Sequence, residues 1–440
     1  MTHLASVPTL PREADVVVIG GGIVGCMAAY ELAKRGQSVV LLEKGLLAEE
    51  QSSRNWGWVR QNGRNLRELP LGIASRKLWE QLGEDVGADI GWLRSGNIDL
   101  AYDPDELALF ERWRRRAHEL GLETELLDRG EVMEQLPGIS GGFVGGIHSP
   151  TDGQADPHRA TAAIAEAARR LGAEIVERCG AESIRVEHGD VAGVETEGGS
   201  IRTPSVVVAA GTWSTRLLWE LGIRLPQRPI RNTVVATTPT PATFRTAVWA
   251  DGVAFRQDHT GRFILSGGGT SDTDVGLDMA RFARHFARPL WDARRRGDVR
   301  LHVDRQTARD LATGMPFSPW RLKPWKVVRN TEPRVNLRNA WRTFENFRGM
   351  MPSLPPIGIE RTWAGHIDYT PDAVPVIERL SSPGGLVIST GYSGHGFALG
   401  PIGGVLAAQL AVRETPSFDL HPFRLERFAE RDTHANELHF

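Results

Sequence analysis

With 440 residues, the chain is too long for one small core and predicts two or more domains. Its 52 basic and 54 acidic residues leave a formal charge of -2, which excludes a basic footprint for nucleic acid. The two cysteines, Cys26 and Cys179, stand in neither a CxxC nor a metal-ligand pattern, so neither a redox dithiol nor a metal site is expected.

Two such thiols suit a cytoplasmic protein. Residues 1–14 lack a long apolar run, so no signal peptide is expected. No apolar stretch reaches the roughly 18 residues of a spanning helix, which leaves peripheral association as the open membrane role.

The chain is organised around its first glycine-rich turn. Val16-Val-Val-Ile19 reads as a strand covered on both faces. Gly20-x-Gly22-x-x-Gly25 then turns into a helix predicted over 23–35, with Ile23 and Val24 in its first turn and Gly36 closing it. Gly20 permits the tight turn, Gly22 lets the backbone approach a pyrophosphate, and Gly25 lets helix and strand pack closely. The helix N-terminus offers N–H groups and a positive dipole end to that anion. A second strand is predicted over 38–42. Glu43 ends it, where a carboxylate binds the ribose hydroxyls of an adenine dinucleotide.

Downstream, Gln51-Ser-Ser-Arg-Asn-Trp-Gly-Trp-Val-Arg-Gln61 has neither helical nor strand periodicity and reads as a loop laid along the cofactor. Ser52, Ser53, Arg54 and Asn55 supply donors there, beside Trp56, and Gly57 lets the chain pass close to a flat ring. Residues 66–122 read as helical, and 138–153 as a turn-rich crossover between domains. A helix over 157–171 precedes three short alternating runs, at 174–177, 183–187 and 191–196, read as a β-meander. Ser205-Val-Val-Val208 is expected to rejoin the first sheet. Residues 226–345 mix short strands with an Arg-rich helical region near 277–297 and predict a second domain holding the substrate. Near the end, strand, glycine-rich turn and a small-residue helix over 403–412 offer a second helix N-terminus to the same extended cofactor.

Five segments together resemble the flavoprotein family of D-amino-acid oxidases, sarcosine oxidases and related amine dehydrogenases. They are Val18-Ile-Gly-Gly-Gly-Ile-Val-Gly25, the loop 52–57, Val207-Val-Ala-Ala-Gly-Thr-Trp-Ser214, Trp363-Ala-Gly-His-Ile-Asp-Tyr-Thr-Pro-Asp-Ala-Val-Pro375 and Gly391-Tyr-Ser-Gly-His-Gly396. The resemblance spans nearly the whole chain. It implies an α/β architecture, with a Rossmann-like FAD-binding domain of the glutathione-reductase type over 1–90, 151–225 and 355–440. An antiparallel-sheet substrate domain would take 91–150 and 226–354. It also implies non-covalent FAD, held by the glycine turn, Glu43, Lys44, the loop 52–57, Ala181, Ala210, Gly211, Trp213, Gly391, Tyr392, Gly394, His395, Gly396 and Phe397.

The chemistry the resemblance implies is hydride transfer from an amine-bearing carbon to the flavin, giving an imine that water hydrolyses. Arg60 is the first candidate to receive a substrate carboxylate, as a bidentate donor. Tyr392, His395 and His366 complete the candidate catalytic set. D-amino-acid oxidases often carry an arginine after the glycine that precedes Thr-Pro-Asp, where this chain reads Gly365-His-Ile-Asp-Tyr, so His366, Asp368 and Tyr369 are expected to face a different substrate, such as a cationic or cyclic amine. Sarcosine oxidases carry a lysine where this chain has Ala398, and another beside the flavin that the strand over 261–267 lacks. These departures favour a dehydrogenase passing electrons to a quinone or other carrier over an oxidase using oxygen. Oxidation of a 2-hydroxy acid, or a non-catalytic FAD subunit of a larger amine dehydrogenase, are the alternatives on the same scaffold.

Overall fold

The computed structural model describes residues 10–267, 271–296, 299–303 and 329–433, with a few positions between 307 and 318. One end of the predicted Arg-rich helical region therefore lies outside the described residues, as do residues 1–9.

A six-stranded sheet carries the glycine turn. Its order is Val376–Arg379, Leu386–Thr390, Val206–Val208, Val16–Ile19, Val39–Leu42 and Glu174–Val176. All neighbours are parallel except the first pair. The period-two geometry of a strand divides its side chains between two cores. Val16 and Val18 face the helices Ile23–Lys34, Pro157–Arg170 and Gly396–Ala411. Val17 and Ile19 face a three-stranded antiparallel sheet, Ala181–Glu187, Asp190–Thr196 and Gly199–Arg202. Each fully buried side chain of this kind contributes about 1.5–3 kcal/mol, which is why the run admits no polar residue.

A larger mixed sheet stands beside it. Arg228–Thr237 is its spine, paired antiparallel with Ile359–Tyr369 and Phe263–Ser266. Further strands run through Val253–Gln257 and Ala247–Ala250 to Asn97–Ala101, Gly145–Ser149 and Glu125–Asp128. Helix Leu337–Met350 covers it through Phe347, whose ring centroid lies 4.7 Å from Phe263 and 5.0 Å from Phe255. The sheet is mainly antiparallel, with parallel pairs at Ala247–Ala250 against Asn97–Ala101 and at Ser271–Asp274 against Val299–His302.

Several expectations are corrected. The span 66–122 is not continuous helix: Leu69–Asp85 and Pro104–Glu119 flank the strands Leu93–Arg94 and Asn97–Ala101, because Gly87 at positive φ follows the C-cap Val86 and ends the first helix, and Gly91 and Gly96, also at positive φ, turn the chain beside the two strands. Glu174–Val176 belongs to the edge of the parallel sheet, so only the later runs form a meander. Residues 138–153 contain the strands Gly145–Ser149 and Gly153–Gln154. Gln51–Arg54 is a short helix and Trp58–Val59 a short strand within the expected loop. The last long helix starts at Gly396, seven residues earlier than expected, and runs through Pro401.

Its glycines explain that helix. A Cβ at Gly404 would stand 2.5 Å from Met27 Cβ, and one at Gly400 2.6 Å from Ile23 Cγ2. These small residues let the helices Ile23–Lys34 and Gly396–Ala411 lie side by side, which brings both N-termini to one cavity.

Candidate functional site

A cavity of about 1530 Å³ opens at the carboxyl ends of the parallel strands, where α/β sheets bind their ligands. It exceeds the roughly 300–1,000 Å³ of an ordinary small-ligand pocket, as a dinucleotide and a substrate together require.

The glycine cradle is tight. A Cβ at Gly20, where φ is +116°, would stand 2.4 Å from Ala209 O, and one at Gly25 only 1.9 Å from Gly20 O. Gly20, Gly22, Ile23 and Val24 line the cavity, whereas Gly25 stands behind it as the packing contact between strand and helix. Ser52 Oγ accepts a hydrogen bond from Ile23 N at 2.9 Å, so this hydroxyl satisfies the first turn of the helix. Glu43 lines the wall with Lys44, and its carboxylate accepts from Gly21 N at 2.8 Å and Gly45 N at 2.7 Å. Burial pushes that carboxyl above its ordinary range. Lys44 donates to Glu50 and lies over the Trp213 ring.

The other expected cofactor residues divide between wall and support. Arg54, Asn55, Trp56, Ala181, Ala210 and Gly211 line the cavity. Ser53, Gly57 and Gly391 do not. Gly57, at φ +79°, admits the Arg256 guanidinium, which a Cβ would meet at 2.5 Å, so its need for glycine comes from a protein contact. Asn55 closes its own turn, donating to Ser52 O and accepting from Gly57 N.

At the far end, Gly394, His395, Gly396 and Phe397 line the cavity with Tyr392. The Tyr392 hydroxyl lies 2.8 Å from Ser389 Oγ, and burial pushes its phenol upward. Asp368 lies beneath this loop, accepting from Gly391 N at 2.8 Å and from Thr390 Oγ1 at 3.4 Å. Burial pushes its carboxyl up to about 6. Thus Asp368 holds the glycine-rich loop.

Two groups of ionisable residues share the cavity without sharing electrostatic neighbours. His366 stands near Glu50, Arg231 and Arg54, and burial pushes its imidazole down to about 4. His395 stands near Arg64, Glu68 and Arg60. Arg60 is almost wholly buried: its Nη2 donates to Asp99 at 3.1 Å, its Nε donates to Asn62 O at 2.8 Å, and its guanidinium lies 4.8 Å from the Trp249 ring centre. Arg64, one turn of chain later, also lines the wall, and burial with Arg60 beside it pushes it down to about 10. It makes no salt bridge to a described residue.

Sequence reasoning missed Arg64, Glu68 and Asp99. Arg64 lies four residues past Arg60, a spacing that carries no signal in a loop, and Asp99 reaches Arg60 across 39 residues.

These features fit an adenine dinucleotide: glycines that a Cβ would block, an acid at the second strand's end, and two helix N-termini on one cavity. The class they define is a dinucleotide-dependent oxidoreductase with a mixed-sheet wall closing its cavity. Residues 15–410 match the family model for FAD-dependent oxidoreductases known as DAO, and the chain belongs to that family. It is 27% identical over 428 residues to human mitochondrial sarcosine dehydrogenase, covering 95% of this chain and 42% of that protein. It is 26% identical to glycine oxidase of Geobacillus kaustophilus, covering 95% of this chain and 98% of that enzyme. The L-amino acid deaminase of Proteus myxofaciens superposes with a TM-score of 0.89 at 27% identity, over 96% of this chain and 95% of that one. The chain thus spans about two fifths of the human relative and nearly all of the bacterial ones. No helix among the described residues is long and apolar enough to cross a membrane.

Proposed function

We propose that this chain uses FAD to oxidise the C–N bond of an amino acid, or of an N-substituted or cyclic amino acid, to an imine. The observation that carries this reading is the continuity of one cavity, from the glycine cradle and Glu43 to the cationic end formed by Arg60 and Arg64 beside His395. FAD, when bound, supplies the hydride acceptor. Gly20, Gly22, Ile23, Val24 and Glu43 would hold its adenosine and pyrophosphate, and the loop from Gly394 to Phe397 its ring system. The chain's own work is orientation and field. The N-terminus of the helix Gly396–Ala411 favours negative charge at its end of the cavity. Arg60 is fixed by Asp99 and Trp249, so its charge is held in place at no further ordering cost when a carboxylate arrives. Arg64 supplies the second cation.

Segments 1–90, 151–225 and 355–440 are proposed as the FAD-binding domain, with 91–150 and 226–354 facing the substrate. Strand Ile359–Tyr369 then bridges the two, since it pairs with Arg228–Thr237 in the larger sheet. Ala398 and the strand Phe263–Ser266 offer no lysine, which favours a carrier over oxygen as electron acceptor. Two buried free thiols suit a cytoplasmic location.

The test compares an amino acid with the amine that lacks only its carboxylate. Loss of one desolvated carboxylate contact should lower kcat/KM by about 100-fold, some 3 kcal/mol. Equal kcat/KM for the two would sink the carboxylate-receiving end.

A further inference from the structure

We propose that Glu68 is a positioning residue that fixes His395 as the proton acceptor for the substrate's ammonium group. This rests on the amino-acid reading above, because a protonated amine has no lone pair to release a hydride from the adjacent carbon.

The geometry is specific. Glu68 is wholly buried, and its Oε1 lies 2.7 Å from His395 Nδ1. The contact is an ion-pair distance without the angle of a formed hydrogen bond, and neither Glu68 oxygen nor His395 Nδ1 has a hydrogen-bond partner among the described residues. A buried carboxylate with no second donor is costly, so a purely structural role explains it poorly. The distance is set by two packed helices rather than by a flexible loop. Glu68 occupies the N-cap position of Leu69–Asp85 and His395 that of Gly396–Ala411, and neither side chain bonds a helix N–H. Ser75 Oγ and Trp79 Nε1 of the first helix both donate to Ala398 O of the second, at 2.5 and 3.1 Å.

The tautomer follows. With Nδ1 carrying the proton that faces Glu68, Nε2 presents a lone pair, and His395 lines the cavity. The charged groups around the ring are Arg64 and Arg60, backed by Asp99 and Asp152, while Asp368 holds the same loop from beneath. Two guanidinium groups oppose a second positive charge on the imidazole, and Glu68 offsets them. Burial, with Arg64 beside it, holds the imidazole below its ordinary range, so it is neutral at pH 7. In the step itself, one N–H bond of the ammonium breaks and an Nε2–H bond forms. The bonding pair stays on the substrate nitrogen as its lone pair, and no electron is transferred.

The arrangement is tested first without turnover, by nitrogen-15 NMR of the histidine-labelled holoenzyme at pH 8, with His395→Asn assigning the signal. The expected result is a protonated Nδ1 and a bare Nε2, lost or mixed in Glu68→Gln. A protonated Nε2 in the wild type would overturn the proposal whatever the substrate. The second readout is the pH profile of kcat/KM. The wild type should rise to a plateau above the imidazole's pKa. Glu68→Gln should shift that limb to lower pH and reduce the plateau about 10- to 100-fold, and His395→Asn about 100-fold or more. His395→Asn should also climb with unit slope up to the substrate's own ammonium pKa, because it must await neutral amine. A His395→Asn enzyme that keeps the wild-type plateau and rate overturns the proposal. If no amino acid reduces the flavin, the functional reading fails, while the tautomer still decides the Glu68–His395 arrangement.

Discussion

Replacing Asp368 by asparagine isolates one buried charge beneath the glycine-rich loop. Asparagine keeps an oxygen for Gly391 N and Thr390 Oγ1 but cannot ionise. Burial pushes the Asp368 carboxyl up to about 6 from 3.8, against the hydrogen bonds from Gly391, Tyr392 and Thr390 that lower it. The sign follows from which state holds the proton. Between these two values the folded chain keeps a proton that the unfolded chain has lost. The stabilising term is thus complete below pH 3.8 and lost as pH rises through about 6. From pH 4.5 to 7.5 the linkage amounts to about 2 kcal/mol, from roughly 1.4 pK units at 1.36 kcal/mol each. For a chain of this length that is about 2 °C in Tm. His366, pushed down to about 4 by burial, works with opposite sign and stabilises as pH rises through that range. The wild-type curve alone therefore hides both. The assay is thermal unfolding of Asp368→Asn and wild type across that pH span. The Tm difference should move by about 2 °C in favour of the variant as pH rises. A difference that stays constant with pH would refute the buried-charge argument.

Gly25→Ala puts a methyl group 1.9 Å from Gly20 O and should yield protein without bound flavin, whereas Gly142→Ala, where nothing stands nearby, should load normally by absorbance. Arg427→Ala strands Asp372, which holds that guanidinium at 2.8 and 3.1 Å in a fully buried pair. It should cost about 3–5 kcal/mol in denaturant unfolding. A loss under 1 kcal/mol would show that the site relaxes around the orphaned acid. Arg60→Gln should lower Tm, because Asp99 is left buried without its cation, while Arg64→Gln should leave Tm unmoved. Both should raise KM for carboxylate substrates more than for the matching plain amines, and equal changes for the two substrate types would remove these arginines from substrate binding.

The sequence made the cofactor half legible because its constraints are local. Val16–Ile19 is apolar at every position, and Gly20, Gly22 and Gly25 stand within six residues of one turn. The strand Val206–Val208 and the loop from Gly391 to Gly396 were equally readable, each being a short run with its own turn chemistry. The edge strand Glu174–Val176 was misplaced because parallel pairing with Val39–Leu42 is a long-range choice that no local alternation records. The last helix began earlier than its glycines suggest, since close packing against Ile23 and Met27 outweighs their weak propensity. The cationic end was the least legible part. Arg60 was visible, but its pairing with Asp99, and that of Glu68 with His395, joins segments 39 and more than 300 residues apart.

The most direct test of the account is anaerobic mixing of the flavin-loaded chain with D- and L-amino acids, N-alkyl and cyclic amino acids, plain amines and 2-hydroxy acids, while the flavin absorbance is followed. Bleaching by one class of amino acid is expected, with slow recolouring in air and fast recolouring by a quinone. Bleaching by 2-hydroxy acids alone, or by none of the panel, would contradict it.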